Sequence, residues 1–219
     1  MRINKKYVGT ALGCLALLSL VPHYAPPYWV AFLFFCLIYI AICEMWVLIT
    51  RAGMVLLGIY GFVGMGVYAL VIFSTCLGYP LWISILLSGI IGVVLGLVVA
   101  PSIFKMRGQY FSMGSIVIAK ALSAWFETWS YTGGGAGINI NANVSVTVLY
   151  YLGLALAVFS VLAVLLILRS KLGLMLKAIG NDEDAANTVG VNTFFVKLRC
   201  FILASFIIGI AGSMYFLYP

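Results

Sequence analysis

Charged side chains are scarce in this sequence, and acidic ones are the scarcest. Only 8% of the 219 residues are Asp, Glu, Lys or Arg, whereas about 25% is usual for soluble domains, so the chain cannot cover a water-soluble globule. With one histidine and five acidic residues, the sequence has no cluster that would hold a metal or perform acid–base catalysis. We therefore expect no metal, no cofactor and no enzymatic activity, and an integral-membrane enzyme is disfavoured.

Long apolar runs take the place of the missing charge. The runs are continuous and do not alternate with polar residues, which excludes a transmembrane β-barrel and indicates membrane-spanning α-helices. The sequence predicts an all-α, polytopic transmembrane helical bundle of about seven spans, namely 7–22, 28–49, 53–77, 81–100, 109–129, 147–168 and 200–218.

The basic residues fall almost entirely on one side of this arrangement. Eleven of the twelve Lys and Arg residues lie before the first run or between runs two and three, four and five, or six and seven. These connections are all on the same side of the membrane as the N-terminus. The positive-inside rule then places the N-terminus and residues 169–199 in the cytoplasm of a multi-pass inner-membrane protein. The net charge of +7 is thus a signal of topology within the lipid bilayer, and no nucleic-acid partner is expected.

One polar island, residues 181–190, interrupts the apolar sequence. Asn181 is a good helix N-cap, three acidic residues follow where the helix dipole favours anions, and Gly190 stands where a left-handed residue would end the helix. A helix of about eight residues is too short to span a membrane. We interpret it as a docking helix for a cytoplasmic partner, formed by Asp182, Glu183, Asp184, Ala185, Ala186, Val189 and Gly190.

Glycines are concentrated in the third apolar run, and two interpretations of them remain open. Gly58 and Gly61 would let neighbouring helices approach closely, as small residues do in membranes. Alternatively, they belong to a broken helix whose freed backbone groups line a solute path.

Lys120 is the one basic residue inside an apolar run. A cation within the membrane is costly and is a candidate functional residue. The sequence offers two carboxylates, Glu44 and Glu127, as ion-pair partners. A structural pair and a place in the solute path are both compatible with this position.

Three segments resemble one family, the permease subunits of branched-chain amino acid ABC transporters, which includes urea permeases. The first is Arg107-Gly-Gln-Tyr-Phe-Ser-Met113, and the second is Thr132-Gly-Gly-Gly-Ala-Gly137. The third and most specific is Leu176-Lys-Ala-Ile-Gly-Asn-Asp-Glu-Asp-Ala-Ala-Asn-Thr-Val-Gly-Val-Asn192, which is similar to the family's cytoplasmic loop. The resemblance implies that this loop, the counterpart of the E-A-A loop of ABC importers, sits on an ATPase subunit.

The resemblance also implies the partners and the extent of the domain. Two ATPase subunits, a second permease subunit and an extracytoplasmic solute-binding protein are expected, with residues 1–219 as a permease domain that lacks the family's C-terminal part. The family's Gln, Ser and His near the start of helix 3 are replaced here by Met54, Leu56 and Ile59, and its Glu in helix 5 by Lys120. The sequence therefore does not name the solute.

These observations predict the membrane-spanning subunit of an ABC importer for branched-chain amino acids or a similar small polar solute. An ion-coupled secondary transporter or channel is the alternative, with Lys120 and Glu44 as its ionisable relay. A truncated, inactive permease is a further alternative.

Overall fold

A computed structural model describes residues 17–129 and 144–218, and all regular structure in these ranges is helical. Residues 17–24 form α1. The other helices are α2 (Pro27–Thr50), α3 (Ile59–Val71), α4 (Leu81–Ile103), α5 (Gln109–Thr128), α6 (Val146–Arg169), α7 (Lys171–Asn181), α8 (Glu183–Thr188) and α9 (Thr193–Phe216). A π-helical turn, Ile72–Cys76, extends α3. The predicted all-α fold is confirmed.

Five helices in the described ranges are long and apolar enough to span a membrane: α2, α3 with its π-turn, α4, α6 and α9. The predicted number of about seven is not confirmed. Most of the first predicted span lies outside the described residues, and so does the glycine-rich segment 132–137.

Helix α5 runs beside α3. At one end of this contact Gly58 lies against Ser115, and at the other Tyr68 stacks on Phe126 with ring centroids 3.9 Å apart.

The innermost helix is α9, which packs against α2, α3, α4 and α6. Glycines bring its backbone close to two neighbours: a Cβ on Gly66 of α3 would overlap the carbonyl of Gly209, and one on Gly209 would lie 2.7 Å from the carbonyl oxygen of Ser88 of α4. Such contacts allow van der Waals packing between backbones, which is the main attraction between helices in lipid. The glycines of these helices therefore form a packing interface.

The predicted continuous helix over 53–77 is wrong at its start. Residues 51–58 are a turn followed by irregular backbone, and α3 begins only at Ile59. Gly53 adopts a φ of +74°, a left-handed conformation that glycine adopts without steric cost. The apolar run continues through this segment because Met54 and Leu56 are buried, so hydropathy could not reveal the break.

Two helices and the start of a third occupy residues 169–199, which the sequence had suggested were a loop. Helix α9 begins at Thr193, where the side chain of Asn192 accepts a hydrogen bond from the backbone N–H of Phe195. The predicted start at residue 200 was wrong because Lys197 and Arg199 were taken as loop residues. The basic residues at 51, 105–107 and 169–177 lie at one end of the bundle, which we call the basic end.

Candidate coupling surface and solute path

Helix α8 lies at the basic end and is capped at its N-terminus by its own sequence. The carboxylate of Asp182 accepts hydrogen bonds from the backbone N–H groups of Asp184 and Ala185, at 2.9 and 3.0 Å. The predicted N-cap, Asn181, is instead the last residue of α7. Both residues can cap a helix, and the choice between them depends on where α7 ends.

The C-terminus of α8 is held by a Schellman motif. The N–H of Gly190 donates to Asn187 O, and the N–H of Val191 donates to Ala186 O, at 3.0 and 3.1 Å. Gly190 has a φ of +88°, the left-handed conformation that this motif requires. The predicted stop at Gly190 is correct, and this helix of six residues is fixed at both ends.

Two ion pairs hold α8, one to the residue just before α5 and the other to α9. The guanidinium of Arg107, just before α5, donates to both carboxylate oxygens of Asp184 at 2.9 Å. Lys197 of α9 contacts Glu183 at 2.6 Å. The first pair is exposed, whereas only 6% of the Lys197 side chain and 25% of the Glu183 side chain are accessible. Helix α8 is thereby connected to both α5 and α9.

Proximity to α8 also affects the ionisation of Arg107. Hydrogen bonding to Asp184, and then the negative charges of Asp184 and Glu183, raise the pKa of Arg107. The guanidinium therefore remains charged at any physiological pH.

The apolar side chains of α8 and its C-cap do not form a single exposed face. Ala186 is 4% exposed because it packs into the core of the chain itself. Ala185 is exposed, and Val189 is 84% exposed. A partner approaching from the basic end would therefore meet Ala185, Val189 and the Asp184–Arg107 pair, whereas Ala186 fixes the helix to the bundle.

The irregular segment before α3 has its backbone groups bonded by side chains of other helices. Trp46 of α2 donates from Nε1 to Leu56 O at 3.1 Å, and Ser112 of α5 donates to Val55 O at 2.8 Å. The N–H of Gly58 donates to the hydroxyl of Ser115 at 2.9 Å. Irregular backbone inside a membrane protein is tolerated where such partners satisfy it. This is a broken helix, as one interpretation of the glycines predicted.

Gly58 and Gly61 face α5, and Gly61 also lines a narrow cleft between α3 and α5. A Cβ on Gly58 would overlap the carbonyl of Ser115, and one on Gly61 would lie 2.8 Å from the Cβ of Ala119. Both glycines therefore allow α5 to lie close against α3. Close packing and a broken helix occur together at this site.

The predicted ion pair of Lys120 with Glu44 or Glu127 is not formed between these described residues. Lys120 and Glu127 are exposed on α5, and Glu44 is half-buried on α2. The carboxylate of Glu127 instead accepts a hydrogen bond from Ser123 at 3.3 Å. Sequence spacing could not show that α5 packs on α3, with Lys120 turned outward. Lys120, Ser123 and Glu127 thus form an exposed polar stripe along α5.

Sequence reasoning missed the partners of α8 and of the broken helix. The only available signal for Arg107 was its place in the segment Arg107–Met113. No pattern in the sequence pointed to Lys197 as a buried cation, or to Trp46, Ser112 and Ser115 as partners of residues 55–58. These contacts join segments distant in sequence, so local patterns do not encode them.

Comparison with known proteins identifies a family and a relative of this chain. The model of a family described as "Branched-chain amino acid transport system / permease component" matches residues 28–219. The chain is 23% identical over 201 residues to the high-affinity branched-chain amino acid transport system permease protein LivM of Salmonella typhimurium. That alignment covers 77% of this chain and 47% of LivM, so the chain spans about half the length of that relative. No solved structure matches.

Proposed function

Because the chain belongs to the family of branched-chain amino acid transport permeases, we propose that it is the membrane-spanning subunit of an ABC importer. Its solute would be a branched-chain amino acid or a similar small polar molecule. Two ATPase subunits, a second permease subunit and an extracytoplasmic binding protein would complete the transporter in the inner membrane. ATP would be hydrolysed on the partner subunits.

One observation carries the proposal of coupling: α8 is a short helix, capped at both ends, at the basic end of the bundle. Capping and two ion pairs fix its position, while Val189 and Ala185 remain exposed. A rigid, exposed helix of this kind suits a groove on a cytoplasmic subunit. We propose that residues 169–199 form the coupling segment and that Asp182–Gly190 contact the ATPase.

The ion pairs suggest how movement would be transmitted. Asp184 joins α8 to the N-terminal end of α5, and Glu183 joins it to α9, the innermost helix. A displacement of α8 by the closing ATPases would therefore move α5 and α9 together. Transmission requires that the two states of the ATPases contact α8 differently.

Co-purification of the ATPase with the permease tests this coupling. We expect Val189→Glu and Ala185→Trp to reduce the association strongly, because both change exposed atoms of the proposed contact. ATP turnover and uptake in reconstituted vesicles would show hydrolysis uncoupled from transport. Ala186→Trp is a poor test because Ala186 is buried, and the substitution would disturb the permease itself.

Leu174→Gln is the matched control. Leu174 is also apolar, exposed and at the basic end, but it lies on α7, outside Asp182–Gly190, the part of the coupling segment proposed to contact the ATPase. The control variant should retain the ATPase. Unchanged association and coupling in both α8 variants would refute the docking role.

We further propose that the exposed stripe of α5 borders the solute path, with Lys120 facing the solute's carboxylate. An exposed cation in a helix of this bundle needs an aqueous or protein environment, because contact with lipid is costly. Glu44 forms no ion pair with Lys120 in the described residues, so any part it has in the path does not depend on that pair. Gly58 and Gly61 pack on α5, so their part in the path is indirect: they position α5.

Leucine uptake by the reconstituted transporter tests this role. Lys120→Gln should raise the KM for leucine about tenfold, and Lys120→Arg should restore most of the loss because the charge returns. An equal KM in the wild type and Lys120→Gln would remove Lys120 from the path. A wild-type transporter that takes up no branched-chain amino acid would instead overturn the assigned solute.

The ion-coupled alternative depended on Lys120 and Glu44 as a relay. The two residues are on α5 and α2, and no ion pair between them is present in the described residues. No specific observation favours this alternative.

A further inference from the structure

A cleft of about 400 Å³ opens at the basic end, away from α8's ion pairs. It is lined by Thr50, Arg51, Leu168, Gly173, Lys177, Gly180 and Asn181. Two cations, Arg51 and Lys177, line it, and Arg169 and Lys171 lie one and two residues from lining residues in the sequence. Like charges that share a small cleft repel each other, so an anion between them would stabilise the arrangement.

No carboxylate of the chain is available to neutralise this cluster. All five acidic residues lie in the described ranges. Asp182 caps α8, Glu183 and Asp184 pair with Lys197 and Arg107, and Glu127 bonds Ser123 near the far end of α5. Glu44 lies about two turns before Arg51 on α2. Among the described residues, Arg51 and Lys177 therefore have no ion-pair partner, and an anion from another molecule would neutralise them.

The position of the cleft indicates the kind of molecule. It lies where two candidate membrane spans end, α2 at Thr50 and α6 at Arg169, which is the depth of lipid headgroups. Helix α7 borders the cleft and packs on the core through Gly173, Leu176 and Ile179. On its outer side Leu174 is 73% exposed, three residues from Lys171 and from Lys177. An apolar side chain flanked by lysines is typical of a helix in the membrane interface.

We propose that this cleft binds the headgroup of an anionic phospholipid, with Arg51 and Lys177 contacting its phosphate. Leu174 lies beside the acyl chains, and Arg169 and Lys171 add to the local positive potential. Basic pockets at the cytoplasmic ends of membrane helices have this preference. The site requires no partner subunit and does not depend on which solute the protein transports.

The glycines of the cleft bring the headgroup site close to the broken helix. Gly180 of α7 contacts the turn at residues 51–53, and a Cβ there would lie 2.7 Å from Arg51 O. The turn leads directly into the irregular segment 54–58. A bound lipid would therefore hold the end of α2, α7 and this turn together.

Lipid retention by the purified full chain, measured by native mass spectrometry, tests the site. Phosphatidylglycerol should bind and phosphatidylcholine with the same acyl chains should not. Since each basic residue that contacts the anionic headgroup should contribute about a fivefold factor, the double variant Arg51→Gln/Lys177→Gln should bind phosphatidylglycerol about 30-fold more weakly. Millimolar inorganic phosphate should not displace the lipid.

Lys105→Gln/Arg199→Gln is the matched control, because it removes two exposed cations outside the cleft. It changes the net charge by the same amount as Arg51→Gln/Lys177→Gln. It should bind phosphatidylglycerol as the wild type does. Equal binding of the two lipids, displacement by phosphate, or no difference between the two double variants would overturn the proposal. A loss of ATPase association in Arg51→Gln/Lys177→Gln without any loss of bound lipid would also overturn the proposal. If that variant does not elute as folded protein, the single variants decide, with about a fivefold loss expected for each.

Discussion

The two ion pairs of α8 differ in how much water reaches them. Arg107 and Asp184 are 64% and 72% exposed, whereas the Lys197 side chain is 6% exposed. Water screens the first pair, so little stability depends on it. In the second pair, each charge has lost most of its hydration and depends on the other. The same short helix is thus attached firmly to α9 and loosely to α5.

The largest effect is expected from breaking the buried pair. Lys197→Met would leave the Glu183 carboxylate three-quarters buried without a counter-charge, and the free energy of unfolding should fall by about 3 kcal/mol. Adding Glu183→Gln should recover most of that loss, since no buried charge then remains. Thermal unfolding in detergent measures both changes.

Arg199→Met is the control for this prediction, because Arg199 is an exposed cation on the same helix. Its effect on unfolding should lie within experimental scatter. Equal losses for the variants at positions 197 and 199 would mean that burial does not distinguish the two cations.

A smaller effect is expected when the cap between the two pairs is removed. Asp182→Ala deletes the acceptor for two backbone N–H groups of α8 and should destabilise the helix by about 1 kcal/mol. Asp182→Asn, which retains a capping oxygen, should change little. Hydrogen exchange at Asp184 and Ala185 is the measurement, and equal protection in both variants would contradict a capping role.

The smallest effect on stability is expected for the exposed pair. Arg107→Gln should leave thermal unfolding unchanged while reducing the uptake obtained for each ATP hydrolysed, because α5 would no longer follow α8. The charge exchange Arg107→Asp/Asp184→Arg should restore part of that coupling. Normal coupling in Arg107→Gln would show that α9 alone transmits the movement.

The sequence predicted α8 well because its determinants are local. The acidic first turn and Gly190 act within one or two turns of the chain. The choice of Asn181 over Asp182 as the cap was wrong by one residue, and the burial of Ala186 could not be predicted because it depends on contacts with the rest of the bundle. The docking role itself is a prediction that the proposed experiments test. The family was also predicted correctly, from contiguous motifs that contain this helix.

The broken helix and the environment of Lys120 could not be predicted in the same way. Whether residues 54–58 form a helix depends on hydrogen bonds from Trp46, Ser112 and Ser115, which lie on two other helices. Whether Lys120 meets Glu44 depends on which neighbour α5 packs against. The apolar runs specify that helices exist, but not their order in space, because hydropathy does not encode which helices pack against each other.

The irregular segment before α3 has a consequence for how the bundle can move. In a regular helix each hydrogen bond depends on its neighbours, so disrupting one turn is a cooperative event. Residues 55–58 instead rely on separate side-chain contacts, Trp46 to Leu56 O, Ser112 to Val55 O and Ser115 to the N–H of Gly58. We therefore expect these contacts to break and re-form one at a time, which would let the ends of α2, α3 and α5 adjust relative to one another in small steps.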